Sequence, residues 1–303
     1  MDLVRAMRVF RRVVELRSFS AAARDQKMSN AAVSKQLAAL EDRLRTRLLH
    51  RTTRRLSPTA AGASYYQRCV RILEDIEDTE QSLSGNSAAP SGSLRVNAPL
   101  SFGVMHMTPL LPELLQRWPD LEIDLSLSDR FVDVIEEGVD VVVRITAELA
   151  DSANLVGQRL AKVRQLLCAS PAYLRKHGVP TSLDDLKKHQ CLVYSGSLTP
   201  GEWGLMTPDG PARVQVKGRL AVNNSLVLKD ALVRGLGLCL MPEFYVGEAL
   251  RAGKLRLVMP GYSGRSIYVH AVYPRTRHLL PRVRLFIDFL RERFSKAEWA
   301  EPQ

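Results

Sequence analysis

Hydrophobic residues near the start of the chain recur with the spacing of amphipathic helices. One series comprises Leu3, Met7, Phe10 and Val14, and a later series comprises Val33, Leu37, Leu40 and Leu44. In both, steps of 4, 3 and 4 residues place the members on one helical face. Between them, a further helix starts at 18–20 and continues through alanines 21–23, whose small side chains allow close packing. The pattern predicts three helices, with the apolar face of the third docked on the first two.

The third helix keeps polar and small residues on its outer face. Ser29 precedes it and has the side-chain oxygen that an N-cap requires. The outward set is Asn30, Ala31, Ser34, Lys35 and Ala38. Two short helices joined by a tight turn, the second with such a face, describe a helix-turn-helix whose second helix enters the major groove of DNA. Taken alone, this helix has the alternative interpretation of an ordinary solvated face.

The outward side chains suit DNA for separate reasons. Asn30 can donate and accept at an adenine edge, and Ala31 or Ala32 can contact a thymine methyl group. Ser34 and Lys35 fit phosphate contacts, which fix register without reading sequence. Residues 48–56 follow as a β-like ribbon with three arginines near its tip. This ribbon predicts a wing that lies along the DNA backbone or in a narrow minor groove.

A heptad series follows the wing. Its members are Gly62, Tyr65, Cys69, Ile72, Ile76, Thr79 and Leu83. Alternating steps of 3 and 4 predict one long helix that pairs with a second copy of the chain, and packing of the stripe on its own domain is the alternative. Residues 84–93 are small and turn-forming, which is the composition of a flexible linker.

After the linker, short apolar strands alternate with helical segments, the pattern of βαβ units and a largely parallel sheet. Predicted strands are 94–98, 121–127, 139–145, 164–169, 191–194, 214–222, 238–241 and 266–273. Predicted helices are 102–118, 131–137, 171–177, 182–189, 226–235, 243–252 and 281–294. If the last strand and helix return to the first subdomain, two crossovers form a hinge.

The predicted organisation is an all-α winged helix-turn-helix followed by an α/β body of two subdomains. The predicted segments are a DNA-binding domain at 1–60, a linker helix at 61–84, a hinge at 85–93 and a body at 94–303. Within the body, one subdomain takes about 94–163 and 268–303, and the other about 164–267. Ligands of such folds bind at strand carboxyl ends and subdomain clefts.

The charge distribution supports this division. The net charge of +11 lies entirely in residues 1–71, which contain 16 Lys and Arg against 5 Asp and Glu. Residues 72–303 contain 27 of each sign. A basic module for a polyanion attached to a neutral body is the expected arrangement.

Other functional classes find little support. There is no run of about 18 apolar residues and no secretory signal pattern, so we expect a cytoplasmic protein without membrane contact. The four cysteines and six histidines show no metal-ligand spacing. The glycines at 235 and 237 lack the third glycine of a dinucleotide motif, and Arg265 breaks a nucleophile-elbow pattern at 261–265. We therefore predict no catalytic residues, no metal, no cofactor and no enzyme activity.

The N-terminal block resembles the winged helix-turn-helix of the LysR-type transcriptional regulators. The residues that carry the resemblance are Phe10, 18–23, 29–37, 40–41, Leu44, 48–51, 54–55 and 59–62. The resemblance extends through 92–103, 128–130, Asp133, 137–140, 144–145, 168–174 and 235–238, so it covers nearly the whole chain. The DNA contacts that we predict are Ser20, Ser29, Asn30, Ala31, Ala32, Ser34, Lys35, Gln36, Arg51, Arg54 and Arg55.

The resemblance also implies a periplasmic-binding-protein-like body with an effector cleft between its subdomains. Carried over by position, the effector residues are Ser101, Phe102, Asp129, Arg130, Arg144, Ser195, Asn224 and Ser225. Helix starts near Ser101 and Ser225 favour an anion, and Arg144 can pair bidentately with a carboxylate. The alternatives are that the serines only cap helices and that Arg144 only pairs with Asp129 or Asp140.

The resemblance implies a regulator that binds double-stranded DNA and responds to a small molecule, for which we expect an organic anion. It implies a homodimer or homotetramer that acts on the transcription machinery, and it leaves open activation or repression. The rival function is a ligand-binding module whose basic arm only anchors it to nucleic acid.

Overall fold

The computed structural model of the protein describes residues 2–51, 56–83, 91–130, 133–277 and 280–301. The chain forms two compact units, 1–88 and 89–303. In the first unit the helices are α1 (Leu3–Leu16), α2 (Phe19–Asp25), α3 (Asn30–Leu44) and α4 (Ala60–Leu83). A hairpin of β1 (Leu49–Arg51) and β2 (Leu56–Pro58) separates α3 from α4.

The predicted periodicity sets the core of the first unit. Phe10, Val33, Leu37 and Leu40 are fully buried, so the apolar faces of α1 and α3 pack together as expected. The side chain of Ser18 accepts a hydrogen bond from the first turn of α2. These contacts fix the orientation of α3 within the unit.

The heptad stripe on α4 serves two faces rather than one. Cys69 is fully buried in the core of its own unit, and the ring of Tyr65 lies 5.6 Å from that of Phe10. Ile72 is 42% exposed and points away from that core. The prediction that the heptad residues pair with a second copy of the chain is therefore wrong for Tyr65 and Cys69, because these side chains pack against α1 of their own unit.

The second unit is built on a six-stranded mixed sheet with the order β16-β6-β15-β5-β3-β4. The strands are β3 (Gly92–Ala98), β4 (Leu121–Leu127), β5 (Val141–Thr146), β6 (Leu155–Val163), β15 (Ile267–Pro274) and β16 (Ala300–Glu301). β3 pairs in parallel with both β4 and β5, whereas β15 runs antiparallel between β5 and β6. The chain thus returns to this sheet near its C-terminus, where α11 (Pro281–Ser295) follows β15.

The intervening segment forms smaller sheets. One contains β7 (Gln165–Ala169), β12 (Leu238–Pro242) and β13 (Arg256–Leu257), and a parallel pair contains β8 (Val193–Tyr194) and β11 (Ala221–Val222). A third contains β9 (Glu202–Thr207), β10 (Gly210–Gln215) and β14 (Ser263–Gly264). The helices are α7 (Pro171–His177), α8 (Leu183–Leu186), α9 (Ser225–Val233) and α10 (Glu243–Arg251).

Several predicted elements were wrong in extent or type. The helix predicted at 102–118 is broken into α5 (Leu100–Phe102), a π-helix (Gly103–Met107), a 3-10 turn (Thr108–Leu110) and α6 (Leu111–Arg117). Pro109 and Pro112 lack the N–H donors that a continuous α-helix needs. The strand predicted at 214–222 is the end of β10 and, separately, β11, while β6 and β9 were not predicted.

The helix predicted at 131–137 is also wrong where it is described. Residues 134–138 form turns, and residues 131 and 132 lie outside the described part of the chain. Asp133 Oδ1 accepts hydrogen bonds from the N–H groups of Ile135 and Glu136, both at 2.9 Å. A side chain that satisfies these donors locally competes with helix formation.

All four cysteines are buried free thiols. Burial raises the pKa of Cys69 to about 11 and those of Cys168 and Cys191 to about 12. Since the thiolate is the reactive form, we expect native protein at pH 8 to resist alkylation and denatured protein to label at all four positions. Mass spectrometry after iodoacetamide treatment checks this, and rapid native labelling of any of them would contradict it.

Candidate functional site

The candidate DNA-binding surface is the outer face of α3. Asn30, Ala31 and Lys35 are exposed, whereas Ser34 and Gln36 are half-buried. Ser29 caps the helix, because its Oγ accepts a hydrogen bond from the N–H of Ala32 at 3.1 Å. The helix therefore begins with two exposed residues of the types that contact base edges.

The other predicted DNA contacts are less uniform. Ser20 is exposed on α2 and its Oγ lies 3.1 Å from that of Ser18. Ala32 is half-buried, so Ala31 offers the more accessible methyl group. Arg54 and Arg55 lie outside the described residues, as does the side chain of Arg51.

A buried carboxylate fixes the hairpin to α3. Glu41 is 5% exposed, and its Oε1 accepts hydrogen bonds from the backbone N–H groups of Leu48 at 2.8 Å and Leu49 at 3.2 Å. Thr59, directly after β2, is linked to the segment before β1, since its hydroxyl donates a hydrogen bond to the carbonyl of Arg47 at 2.8 Å. The wing thus starts from a defined position next to α3.

Some of the basic excess serves structure rather than DNA. Arg12 binds Asp25 with both N–O distances at 2.7 Å or less, and it also contacts Glu15 at 2.6 Å. Arg11 contacts the same Glu15 at 2.8 Å. Hydrogen bonding to Arg12 lowers the pKa of Asp25 to about 2. The Arg12–Asp25 pair joins α1 to α2, and the pairs with Glu15 lie within α1, so the charge available for DNA lies elsewhere on the unit.

The candidate effector site lies at the carboxyl ends of three adjacent parallel strands. Asp129 follows β4, Ser101 follows β3, and Arg144 lies in the last half of β5. Asp129 is exposed, and its Oδ1 accepts a hydrogen bond from the N–H of Leu100 at 3.1 Å. Parallel strands place such residues at one edge of the sheet, where α/β proteins bind ligands.

One terminal nitrogen of the Arg144 guanidinium group is held by hydrogen bonds, and among the described residues the other has none. Its Nη1 donates to Asn97 Oδ1 at 3.1 Å and to the Val143 carbonyl at 3.2 Å. Its Nη2 is buried and has no hydrogen-bond partner in the described part of the chain. Asp140, one suggested partner, instead accepts from the N–H of Arg95 at 2.9 Å and lies 3.5 Å from Arg277. Burial, the largest effect, lowers the pKa of Arg144, while the charges of Asp129 and Glu137 raise it.

Both helix starts near the site are served by the protein's own oxygens. Asp129 takes the N–H of Leu100 at α5, and Asn224 Oδ1 accepts from Leu226 at 3.0 Å and Val227 at 3.2 Å at α9. Asn224 is thus the cap of α9, and Ser225 is its first helical residue. The predicted attraction of an anion to these helix ends is weaker than expected, because the α5 segment has only three residues and α9 is already capped.

The remaining predicted effector residues differ in position. Phe102 is fully buried in an aromatic cluster, 5.2 Å from Phe244 and 5.5 Å from Phe294, so it belongs to the core. Arg130 is exposed and contacts Glu137 at 2.7 Å. Ser195 is exposed, and its N–H donates to the carbonyl of Val222 at 3.0 Å.

Two tyrosines complete the site. Tyr245 is 4% exposed; burial raises the pKa of its hydroxyl, while the hydroxyls of Ser225 and Ser101 lower it. Burial and the charge of Asp129 raise the pKa of Tyr194. Tyr245 was missed in the sequence; the available signal was its place in the first turn of α10, directly after the strand that ends at Pro242. The Tyr245 hydroxyl thus lies close to both Ser101, in the segment after β3, and Ser225, at the start of α9.

Ser101 is the second unused polar group of the site. It is 2% exposed, and its Oγ makes no hydrogen bond of normal geometry within the described residues, although the Tyr245 hydroxyl lies beside it. Ser101 therefore does not cap α5. Unused buried polar groups of this kind are unfavourable until a ligand or water meets them.

Comparison with known proteins identifies both units. A family model described as "Bacterial regulatory helix-turn-helix protein, lysR family" matches residues 4–63, and one described as "LysR substrate binding domain" matches residues 87–295. The regulator YhjC of Escherichia coli K12 is 37% identical over 96% of this chain and 97% of its own length. The regulator DmlR of the same strain is 35% identical over 98% and 96%.

Solved structures agree. CrgA, a LysR-type transcriptional regulator from Neisseria meningitidis, matches with a TM-score of 0.62 and 32% identity over 96% of this chain and 99% of that one. The virulence activator AphB of Vibrio cholerae matches with a TM-score of 0.59 and 30% identity over 97% and 100%. In the described residues, no helix has the length and apolarity to cross a membrane. The predicted family and fold class are confirmed: the chain belongs to the LysR family of DNA-binding transcriptional regulators, which are not enzymes.

Proposed function

We propose that this regulator binds promoter DNA through the exposed face of α3 and changes transcription when a small organic anion occupies the site around Arg144. The observation that carries the effector half is the buried Nη2 of Arg144, which has no hydrogen-bond partner among the described residues; Arg144 lies on β5, next to the strand that leads to the buried Ser101. A carboxylate oxygen would satisfy the guanidinium donor and the hydroxyl together. Because Ser101 lies beside Tyr245 of the intervening segment, such a ligand would act next to the contact between the two halves of the body and so favour one arrangement of them.

Calorimetric titration of the full-length protein with a panel of organic acids tests the effector half. We expect saturable binding by some members and its loss in Arg144→Met. Glu136→Gln, which removes an exposed carboxylate next to Glu137 in the sequence, is the matched control and should bind as the wild type does. Absence of saturable binding by every acid would contradict the proposal.

Assembly uses the outward face of α4 in this proposal. Ile72 is 42% exposed on a helix whose other face is occupied by Cys69 and Leu73, so it has apolar surface to offer a second copy. Paired first units would present two α3 helices to successive major grooves. The regulator would then act as a dimer or tetramer in the cytoplasm and signal to the transcription machinery through the bend of the bound DNA.

Lys35→Ala tests the role of the exposed α3 face. If Lys35 contacts phosphate, affinity should fall to a similar extent on specific and random DNA, and the slope of log affinity against log salt should shrink by about 1. Asn30→Ala should instead cost about 1 to 3 kcal/mol on the specific site alone. Fluorescence anisotropy at several salt concentrations separates them; lost specificity with an unchanged slope in Lys35→Ala would mean that Lys35 reads bases.

A further inference from the structure

We infer that the effector carries, next to its carboxylate, a hydrogen-bond donor that Asp129 accepts, so that hydroxy- or amino-carboxylates bind and the matching plain carboxylates bind poorly. This inference rests on the proposed function, since it takes Arg144 as the group that holds the carboxylate. It adds the second half of the recognition and a second residue that sets specificity.

The first step is that the site presents both signs of charge. Strands β4 and β5 flank β3 on either side. Asp129 follows β4, Arg144 lies in the last half of β5, and Ser101 follows the end of β3. Arg144 directs Nη1 to Asn97 at 3.1 Å and to the Val143 carbonyl at 3.2 Å, and its Nη2 has no hydrogen-bond partner among the described residues. An incoming ligand therefore meets a guanidinium and a separate carboxylate.

The second step is that Asp129 has accepting capacity left. Its Oδ1 takes one N–H, that of Leu100, and a carboxylate can accept about four hydrogen bonds. The side chain is exposed, so a ligand can reach it. Its charge reaches across the site, because it contributes to raising the pKa of Tyr194 and of Tyr245 and opposes the lowering of the pKa of Arg144 by burial.

The third step is that Arg130, Tyr194 and Tyr245 do not neutralise the charge of Asp129, so this charge acts on the ligand. Arg130, the adjacent cation, contacts Glu137 at 2.7 Å. Tyr194 and Tyr245 stay protonated because burial raises their pKa, so they contribute hydroxyl dipoles and no positive charge. A ligand with only a carboxylate would be repelled by Asp129, whereas one with a hydroxyl or ammonium group would turn that repulsion into a hydrogen bond.

Matched ligand series test this with the wild-type full-length protein. Calorimetry would compare propanoate with lactate and alanine, succinate with malate and aspartate, and benzoate with salicylate. We expect, in the series that fits the site, at least about tenfold tighter binding of the members with a donor, which is about 1.4 kcal/mol. Comparing hydroxyl with ammonium members identifies the donor type.

Asp129→Asn assigns the preference to this residue. The amide keeps an acceptor oxygen but removes the charge, so the preference for ammonium ligands should fall about tenfold or more and that for hydroxyl ligands less. Glu136→Gln is the control and should leave both preferences unchanged; thermal melts show whether each variant is folded. Because the ligand series is also run on the wild type, the result does not depend on the variant folding.

The outcomes separate the two proposals. Equal binding of plain and donor-bearing acids, lost in Arg144→Met, would overturn this inference and leave the anionic effector standing. A preference that survives unchanged in folded Asp129→Asn would also overturn it. No binding by any acid would overturn the anionic effector and this inference with it.

Discussion

Gly62→Ala is expected to lower the free energy of unfolding of the first unit by about 3 kcal/mol, with loss of DNA binding at temperatures where the wild type is folded. A Cβ at this position would lie 1.9 Å from the carbonyl oxygen of Leu48. That oxygen is fixed, because it accepts the N–H of Thr59 at 2.9 Å. The wing and α4 would have to separate to make room.

The sign of this effect is diagnostic. At an ordinary helical position, Gly→Ala stabilises by up to about 1 kcal/mol. Ala61→Ser, at an exposed position of the same turn, is the matched control and should change stability by less than about 0.5 kcal/mol. Thermal unfolding followed by circular dichroism provides the comparison, and a rise in the melting temperature of Gly62→Ala would show that the close approach is not required.

Glu41→Leu should cost about 3 kcal/mol and weaken DNA binding further than stability alone explains. The substitution leaves the buried N–H groups of Leu48 and Leu49 without an acceptor, and each unmet buried donor costs about 1 to 3 kcal/mol. Glu41→Gln keeps an acceptor oxygen and should lose about half as much. Because the same bonds position the wing, we expect the DNA affinity of folded Glu41→Leu to fall as well.

Urea unfolding and anisotropy on the same samples test this. Asp42→Leu, at the exposed neighbouring position, is the control and should unfold close to the wild type. If Glu41→Leu and Asp42→Leu unfold at the same urea concentration, the buried carboxylate does not anchor the hairpin.

Local patterns predicted the elements whose neighbours are close in sequence. The 4-3-4 spacing located α3 and the Ser29 cap, and the alternation of apolar and polar residues located β4 (Leu121–Leu127) with its observed bounds. The run of three valines at 141–143 likewise indicated that the first half of β5 is buried. These elements take their fold from side chains a few residues apart.

The elements that were missed depend on distant partners. β6 has mixed burial, and its pairing with β15 contains an irregularity between Val269 and His270, so its sequence does not alternate cleanly. The split use of α4 follows from α1 filling the space beside Cys69, which the heptad spacing does not encode. The residues of α3 that can contact base edges could be predicted from the sequence because they all lie on one helix.

The effector residues were harder to predict for the same reason. Position alone suggested that Phe102 lines a cleft, whereas its ring contacts Phe244 and Phe294 from much later in the chain. Tyr245 meets Ser101 and Ser225 only because two crossovers bring three segments together. Asp129 accepts a hydrogen bond from the N–H of Leu100 because β3 pairs with β4, which brings the two residues together.

Footprinting of the DNA upstream of the protein's own gene tests sequence-specific recognition by α3. We expect wild-type protein to protect one defined site, with contacts in successive major grooves, and Asn30→Ala to lose this site while retaining binding to random DNA. Diffuse protection without a defined site, equal for wild type and Asn30→Ala, would contradict sequence-specific recognition by α3 and favour a basic arm that only anchors a ligand-binding body.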